Sequence, residues 1–383
     1  MPFRKQMRMM NGKLVVAFIT GSAGDWGGAS RVLYTALRLI DRERIEPLLL
    51  LPCDGPIVPE LRTRGLRHVI WGTLTEPGSH WHYLRTIWRM FRLLRRERVD
   101  VMHVNYSHVW RPAEYLGARL ARVPIVTHYH TVNDQPGPYI GLSTAAIAVS
   151  RYVAEHSAHD KLEKVVIYNP VDVNRFDNAR DIRTQLGLGP DNVAVSFMGQ
   201  IREIKGVMDF IAMAKRVSDP RARFLIAGEC RDPKKFEGAY SEQDLLAAIG
   251  DDARIRYLGY LSDIEDLYRA SDIVVMPSRW QEPLGLINLE AGAARRPVVS
   301  TRVGGIPEVV REGENGYLVE PGDVAALAAR VAQLVADPAL RKRIGERARD
   351  IVDAEFTSRP VRELENLFER LAHGGARLKD AAG

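Results

Sequence analysis

Two carboxylates, Glu282 and Glu290, stand eight positions apart in the otherwise largely apolar stretch RWQEPLGLINLEAGAARRPVVS. Such a pair could be the acid and base that cut a glycosidic bond, two separate contacts to one ligand, or ordinary charges near a helix end. Pro283 is typical of the first turn of a helix. We therefore expect Glu282 at or just before a helix N-terminus and Glu290 about two turns inside the helix.

The expected spacing of these carboxylates bears on their chemistry. Eight helical residues span roughly 12 Å along the axis and turn side chains about 80° apart. Paired carboxylates of glycosidases stand roughly 5 to 9.5 Å apart. The spacing argues against an acid–base pair and favours two contacts along an extended ligand, one near its reacting end and the other to more distant hydroxyl groups.

A second group of residues suits a phosphate. The run NVAVSFM is followed by GQIREIKG, in which Arg202 and Lys205 precede Gly206 and an amphipathic helical pattern. The free N–H groups and dipole of a helix N-terminus attract anions, and nearby cations reinforce that attraction. The alternative is a turn with solvated charges.

Glycines follow two other strand-like runs. Gly304 and Gly305 stand in STRVGGIPEVV, and Gly27 and Gly28 stand in FITGSAGDWGGASRVL. Paired glycines let a backbone approach a ligand closely, or simply make a tight turn. The second stretch lacks Gly-x-Gly-x-x-Gly, so it does not match a nicotinamide-dinucleotide loop.

Two histidines mark a further strand end. His128 and His130 lie two positions apart in PIVTHYHTVND, so their side chains point to the same side of a strand. That arrangement suits a metal, but no third ligand is evident nearby. We expect His130 to contact substrate near the reaction centre, the alternative being a structural, hydrogen-bonding histidine.

Strand-like and helical patterns alternate along the whole chain. Seven short apolar runs occur up to residue 168 and six more follow. Runs that are apolar on both faces indicate parallel sheets covered by helices. The fold class is therefore α/β, with two doubly wound Rossmann-like domains facing a central cleft and ligands beyond the carboxyl ends of the strands.

Pro, Asn, Asp and Gly residues cluster around positions 168 to 190 and mark the join. The expected division is an N-terminal domain over 1–168, a C-terminal domain over 169–354, and a last helix with a flexible tail over 355–383. That helix follows the last strand of the second domain, so we expect it to pack back on the first.

Composition narrows the class of protein. The 383 residues carry a net charge of +6, and residues 1–175 hold 24 lysines and arginines against 15 aspartates and glutamates. The basic first half suggests an anionic partner. Cys53 and Cys230 give neither a disulfide framework nor a metal spacing, and no run is long enough to span a membrane. A cytoplasmic location is the default expectation.

One basic helical pattern stands out at residues 81–98. Six arginines surround a stripe that contains Trp81, Leu84, Trp88 and Leu94. A basic amphipathic helix with aromatic residues could rest on an anionic membrane surface at the inner face of the membrane. The alternative is a helix that covers a sheet, with its apolar stripe in the core and its arginines in solvent.

Five motifs occur in order with a recognisable spacing: VIYNPVDVNRF, GQIREIKG, LGY with ASDIVVMPS nine residues later, EPLGLINLE, and VGGIPEVV with GENGYLV. Together they resemble the retaining glycosyltransferases of family 4, which have the GT-B fold. The resemblance covers most of the chain and is densest between residues 168 and 323. It implies a nucleotide-sugar donor held by the second domain and a glycan or lipid-linked acceptor held by the first.

The resemblance also implies roles for the residues above. Glu282 would contact the donor sugar or phosphate, Glu290 the ribose hydroxyls, and Lys205 the diphosphate, while His130 would lie near the transferred sugar. The expected catalytic set is His130, Lys205 and Glu282. The remaining expected donor contacts are Gly27, Gly28, Gln200, Arg202, Leu284, Gly285, Leu286, Gly304 and Gly305.

One position departs from the family pattern. The family usually has Arg directly after the strand-ending glycine, and this chain has Gln200 there. A neutral amide cannot replace a bidentate cation, so diphosphate binding depends on whether Arg202 compensates. The chain also has NPVD at residues 169–172, where the family more often has NGVD, and this is a smaller change in the hinge region.

The resemblance implies hexosyl transfer in cell-surface polysaccharide or glycolipid synthesis. No Asp-x-Asp occurs, so we expect catalysis without a metal or other cofactor, and no nucleic-acid partner. A sugar-nucleotide epimerase on the same fold is one alternative. A protein that binds the nucleotide sugar without turnover is the other, and Gln200 motivates it. A phosphorylase would be expected to need a pyridoxal lysine and a much longer chain.

Overall fold

The computed structural model of the protein describes residues 12–24, 27–72, 80–106, 108, 111–158 and 162–374. Residues 1–11, which are basic, lie outside these ranges. So do residues 375–383 of the tail predicted to be flexible. The chain divides into two units, the first comprising 1–170 and 358–383 and the second 171–357. The expected boundary at 168 falls two residues before the observed one at 170, and that at 354 falls three residues before 357.

Strands and helices are numbered along the chain. The described strands are β1 (Leu14–Ile19), β2 (Ile45–Leu51), β3 (Arg67–Ile70), β4 (Val101–Val104), β5 (Ile125–Tyr129), β6 (Ala145–Ala148), β7 (Lys164–Val166), β8 (Val193–Met198), β9 (Ala222–Ala227), β10 (Ile255–Tyr257), β11 (Ile273–Met276), β12 (Val298–Thr301) and β13 (Gly316–Val319).

The described helices alternate with these strands. They are α1 (Gly28–Leu39), α2 (Val58–Thr63), α3 (His80–Arg96), α4 (Pro112–Ala121), α5 (Arg151–His156), α6 (Asn174–Asp177), α7 (Val207–Arg216), α8 (Glu242–Ile249), α9 (Ile264–Ala270), α10 (Leu286–Ala293), α11 (Val324–Ala336), α12 (Pro338–Glu355) and α13 (Ser358–Ala372). None of these described helices is long and apolar enough to cross a membrane.

Each unit contains one parallel sheet. The strand order is β3-β2-β1-β4-β5-β6-β7 in the first and β10-β9-β8-β11-β12-β13 in the second. The order reverses between β1 and β4 and between β8 and β11, which is the doubly wound arrangement. All thirteen predicted strands are present, and the predicted fold class of two Rossmann-like domains is confirmed.

The core of each unit follows from strands that are buried on both faces. In the second unit Phe197, Phe210 and Phe224 are fully buried together. In the first unit the last helix, α13, contributes Phe368, whose ring meets Phe18 edge-on at 5.7 Å. The chain thus leaves the first unit after residue 170 and returns to complete its core.

The contact between α13 and the first sheet can be tested by truncating Phe368. The ring is fully buried, so Phe368→Ala should lower the free energy of unfolding of the first unit by about 3 to 5 kcal/mol. Urea unfolding followed by hydrogen exchange of peptides from each unit measures this change. Arg362→Ala, on the exposed side of the same helix, is the control. An unchanged first unit in the Phe368 variant would contradict the packing.

Candidate functional site

The second unit brings a lysine and a carboxylate together where its strand order reverses. Lys205 follows β8, and Glu282 follows β11. The Lys205 Nζ donates to Glu282 Oε1 at 2.5 Å, and the Ser278 hydroxyl donates to the same oxygen at 2.8 Å. The side chain of Glu282 is 6 % exposed and that of Lys205 is 18 % exposed. A partly buried ion pair thus lies at the carboxyl ends of β8 and β11, where open parallel sheets bind ligands.

The loop that carries Glu282 differs from the sequence-based expectation. Helix α10 begins at Leu286, preceded by Gly285 with φ of +81°. The left-handed glycine makes a turn between Pro283 and the helix, so Glu282 lies in the loop and Glu290 is only the fifth helical residue. The expectation of one continuous helix from Glu282 to Glu290 was therefore wrong, and the roughly 12 Å axial separation derived from it does not apply.

Glu290 is held by a neighbouring helix. The buried Tyr268 hydroxyl of α9 donates to Glu290 Oε2 at 2.8 Å, and both side chains are inside the unit. Leu284 is also buried and anchors the loop before α10. The two glutamates therefore have different partners, a cation for Glu282 and a phenol for Glu290.

Glycines allow the three loops after β8, β11 and β12 to approach one another. Gly206 has φ of +71°, and a Cβ there would stand 1.8 Å from the Pro277 carbonyl oxygen. Gly304 has φ of +54°, and a Cβ there would stand 2.1 Å from the Glu282 carbonyl oxygen. Any side chain at either position would push the loop that carries Glu282 away from its neighbour.

The backbone N–H groups of the glycine pair are used inside the protein. Gly304 N–H donates to Gln281 Oε1 at 2.7 Å, and Gly305 N–H donates to the Glu282 carbonyl at 2.8 Å. These bonds hold the loop after β12 against Gln281 and against Glu282, which forms the ion pair.

Among the described contacts, the side chain of neither residue at the departure from the family pattern binds the side chain of Lys205 or Glu282. Gln200 is exposed. The Arg202 guanidinium donates to the Glu237 carbonyl at 2.8 Å, while its buried Nε has no hydrogen-bond partner. Lys205 is therefore the cation that this loop directs to Glu282.

Sequence reasoning missed three residues of this loop cluster. Lys205 Nζ stands 4.9 Å from the centre of the Trp280 ring, a cation–π contact. Arg279 binds Asp209 through two hydrogen bonds of 2.7 and 2.6 Å and so ties the loop to α7. Ser278, Arg279 and Trp280 stand directly before Gln281 and Glu282, so their closeness in sequence to the predicted site was the available signal.

The first unit orients His130 through an asparagine. Asn105, after β4, donates its amide to the Ala29 carbonyl at 3.2 Å, which turns its Oδ1 toward His130 Nε2 at 2.9 Å. An amide oxygen only accepts, so His130 carries its proton on Nε2 and has an acceptor at Nδ1. Gly27 and Gly28 stand at the N-terminus of α1, close in sequence to Ala29.

A third histidine, His103 of β4, joins the pair predicted from the sequence. Its Nε2 is 3.2 Å from His128 Nδ1, and the His128 and His130 rings stack at 4.0 Å. Burial lowers the pKa of His103 and of His130 to about 3, and of His128 well below its usual value. The rings are neutral at pH 7. Among the described residues no three His, Cys, Asp or Glu side chains are placed to hold a metal ion.

Each unit matches a family model of glycosyltransferases. Residues 26–175 match the family model described as Glycosyltransferase Family 4, and residues 178–351 match that described as Glycosyl transferases group 1. The chain is 30% identical over 293 residues to N-acetyl-alpha-D-glucosaminyl L-malate synthase of Bacillus anthracis, covering 71% of this chain and 75% of that protein.

Solved structures share the fold. A glycosyltransferase from Rickettsia africae superposes with a TM-score of 0.80 at 21% identity, over 94% of this chain and 98% of the other. Anabaena Alr3699/HepE in complex with UDP gives a TM-score of 0.76 at 22% identity, over 94% and 100% of the two chains.

The ion pair can be tested by a double-mutant cycle. Lys205→Met leaves Glu282 among buried groups without its cation, so we expect a loss on the order of 2 kcal/mol in the free energy of unfolding of the second unit. This is below the value for a fully buried pair because the lysine keeps some solvent contact. Lys205→Met combined with Glu282→Gln should cost less than the single lysine change. Additive losses would show that the two side chains do not interact.

The histidine cluster predicts acid sensitivity of the first unit. An unfolded histidine titrates near pH 6.5, whereas His103 and His130 in the folded unit have a pKa of about 3. Between these values the unfolded chain binds more protons, so the free energy of unfolding falls as pH drops from 6.5 toward 3. Each such histidine contributes a slope of about 1.4 kcal/mol per pH unit.

Urea unfolding at a series of pH values, resolved by hydrogen exchange of first-unit peptides, measures that slope. His103→Gln should reduce it by the contribution of one histidine, whatever the variant does to stability at neutral pH. The exposed His373 provides the control variant His373→Gln. An unchanged slope in the His103 variant would show that the cluster does not govern acid stability.

Proposed function

The chain belongs to glycosyltransferase family 4, and from that membership we propose that it is a retaining enzyme that moves a sugar from a nucleotide-sugar donor to an acceptor hydroxyl group. The proposed donor nucleotide is UDP or GDP, and the proposed acceptor is a glycan or a lipid-linked sugar. The Anabaena Alr3699/HepE structures are complexes with UDP and with UDP-glucose, which supports a UDP-sugar as the first candidate.

The observation that carries this proposal is the Lys205–Glu282 pair at the carboxyl ends of β8 and β11. A nucleoside diphosphate that leaves an anomeric carbon develops negative charge, and a cation held in place before the reaction stabilises that charge without reorganisation. Lys205 would bind the diphosphate, assisted by the helix N-termini of the same edge. Glu282 would then be released toward the hydroxyl groups or phosphate of the donor.

Glu290 has a separate proposed role. Its Oε2 is already held by Tyr268, so the carboxylate is oriented before a ligand binds. An oriented carboxylate accepts hydrogen bonds from the two hydroxyl groups of a ribose at little entropic cost. The proposed donor set also retains Leu284, Gly285, Leu286, Gly304 and Gly305, which shape the loops around the two glutamates.

Because Gln200 is neutral, the proposal assigns neutralisation of the diphosphate charge chiefly to Lys205. Arg202 donates to the Glu237 carbonyl through one guanidinium nitrogen, whereas Lys205 is the cation of this loop that stands beside Glu282. The proposal assigns neither a metal nor a resident cofactor to the reaction. Retention of anomeric configuration follows from the family.

The first unit is proposed to hold the acceptor. His130 presents Nδ1 as a hydrogen-bond acceptor because Asn105 fixes its protonated nitrogen. We assign it a contact to a hydroxyl of the transferred sugar. The name of the Bacillus anthracis relative describes a sugar joined to malate, a hydroxy acid, which is consistent with transfer to a hydroxyl group. The proposed setting is the cytoplasm, with synthesis of cell-surface polysaccharide or glycolipid at the inner face of the membrane.

Nucleotide release tests the proposed reaction. The protein is incubated with UDP-, GDP- and ADP-sugars, with and without membrane extract, and free nucleotide and sugar products are measured. We expect one donor to release nucleotide faster when extract is present. Conversion of the sugar nucleotide without extract would indicate an epimerase, and tight binding with no turnover would indicate a non-catalytic binding protein.

Glu290→Ala should weaken nucleotide affinity by roughly tenfold to a hundredfold, because two charge-assisted hydrogen bonds are lost. Acceptor choice should not change. Isothermal titration with the free nucleotide measures the affinity, and Glu346→Ala, at an exposed position of α12, is a matched acidic control. A variant with normal nucleotide affinity and altered acceptor preference would contradict the assigned role.

A further inference from the structure

The first unit exposes tryptophan and leucine side chains on two neighbouring helices. On α3, Trp81 is 81% exposed and Leu84 and Trp88 are each 57% exposed. On α4, Leu116 is 39% and Leu120 is 59% exposed. We call these five residues the two-helix surface.

The apolar stripe expected on α3 divides into two opposite faces. Thr86, Met90, Leu93 and Leu94 are buried inside the unit, and Met90 packs against Gly117 of α4. At 100° per residue, Trp81 and Trp88 lie on the opposite side of the helix. The stripe expected to run from Trp81 to Leu94 therefore does not exist as one face, since Leu94 is in the core while both tryptophans point to solvent. Packing inside the unit explains the first set and not the second.

The two helices lie in direct contact. A Cβ on Gly117 of α4 would stand 2.7 Å from the Met90 Cβ and 2.8 Å from the Ile87 carbonyl oxygen of α3. Leu120 and Leu116 follow next around α4 from that contact, and Leu84 and Trp88 follow next around α3. The exposed apolar residues of both helices therefore border the same seam.

The exposed charged side chains within α3 and α4 are all arginines. Arg85, Arg92 and Arg95 are exposed on the outward side of α3 and Arg119 on that of α4. Within the described residues none of these four has a carboxylate partner within 4.0 Å, whereas Arg96 pairs with Glu97 at 2.8 Å. An apolar surface with indole rings and unpaired arginines is suited to the interface of a membrane that contains anionic lipid, because the rings enter the headgroup layer while the cations meet phosphates.

We propose that the two-helix surface docks the protein on an anionic lipid bilayer. The same surface on a second copy of the chain is a poorer partner, because a two-fold contact would bring the unpaired arginines of one copy against those of the other. The proposal rests on the proposed function in that a lipid-linked acceptor lies in such a bilayer, but docking itself is measured without turnover.

Vesicle binding by the full chain tests the docking. The probes are vesicles of one part phosphatidylglycerol to two parts phosphatidylcholine, and vesicles of phosphatidylcholine alone, with sedimentation and tryptophan emission as readouts. We expect binding to the first, at least tenfold weaker binding to the second, and weakening of the first by salt. Equal binding to both vesicles, or binding to neither, would overturn the proposal.

Two sets of variants locate the contact. Trp81→Gln with Trp88→Gln should reduce the partition constant at least tenfold, and Arg85→Gln with Arg92→Gln and Arg95→Gln should reduce it by roughly fivefold for each arginine at low salt. Leu246→Gln with Tyr260→Gln, and Arg216→Gln with Arg343→Gln, are matched controls on exposed positions of the second unit. Controls that lose binding as much as the test variants would overturn the location.

Two further measurements separate this proposal from its rivals. Donor hydrolysis in solution is followed for every variant, and docking variants should keep the wild-type rate. Loss of hydrolysis with intact vesicle binding would count against the proposed function alone. Analytical ultracentrifugation checks for self-association, and a dimer that the Trp81 and Trp88 changes dissolve would show that the surface binds a second copy instead.

Discussion

The pairing of β8 with β11 is the constraint on which the candidate donor site depends. In a parallel sheet all strands present their carboxyl ends at one edge, and reversal of the strand order at this pair sends the following helices to opposite faces. The loops after the two strands thus meet at that edge. Lys205 and Glu282, 77 positions apart in the chain, form an ion pair of 2.5 Å there. Gly206 and Gly304 preserve the pair, because a side chain at either would collide with the backbone of the loops around Glu282.

The candidate site of the first unit is built from uncharged groups. Its sheet edge carries His128 within β5 and His130 directly after that strand, and burial keeps both rings and that of His103 neutral at pH 7. Neutral imidazoles donate at one nitrogen and accept at the other, so the hydrogen bond from each ring to its neighbour decides what remains for a ligand. For His130 the partner is Asn105, which binds the protonated Nε2 and leaves Nδ1 as the acceptor. The fixed cation of the second unit and the fixed acceptor of the first suit a diphosphate and a sugar hydroxyl, respectively.

Helix α3 of the first unit has a buried face and an exposed apolar face. The inward side of α3 carries the buried Met90, Leu93 and Leu94, and Met90 packs against Gly117 of α4. Its outward side carries tryptophans and arginines that contribute nothing to that packing. Exposed indole rings beside unpaired cations are costly for a protein that meets only water, since apolar surface of this kind is normally buried. Five arginines of the basic first half of the chain stand on α3, and the proposed docking on an anionic bilayer uses that charge.

The sequence by itself determined the thirteen strands, the two doubly wound units and the residues worth asking about, because buried parallel strands and strand-ending glycines are local patterns. It did not determine that Gly285 delays the start of α10, that Glu282 binds Lys205, or that His103 joins the histidine pair. It also left open which side of α3 carries the tryptophans. Each of these depends on residues brought together from distant parts of the chain, and only the tertiary structure decides which side chains share a buried space and which helix face meets the sheet.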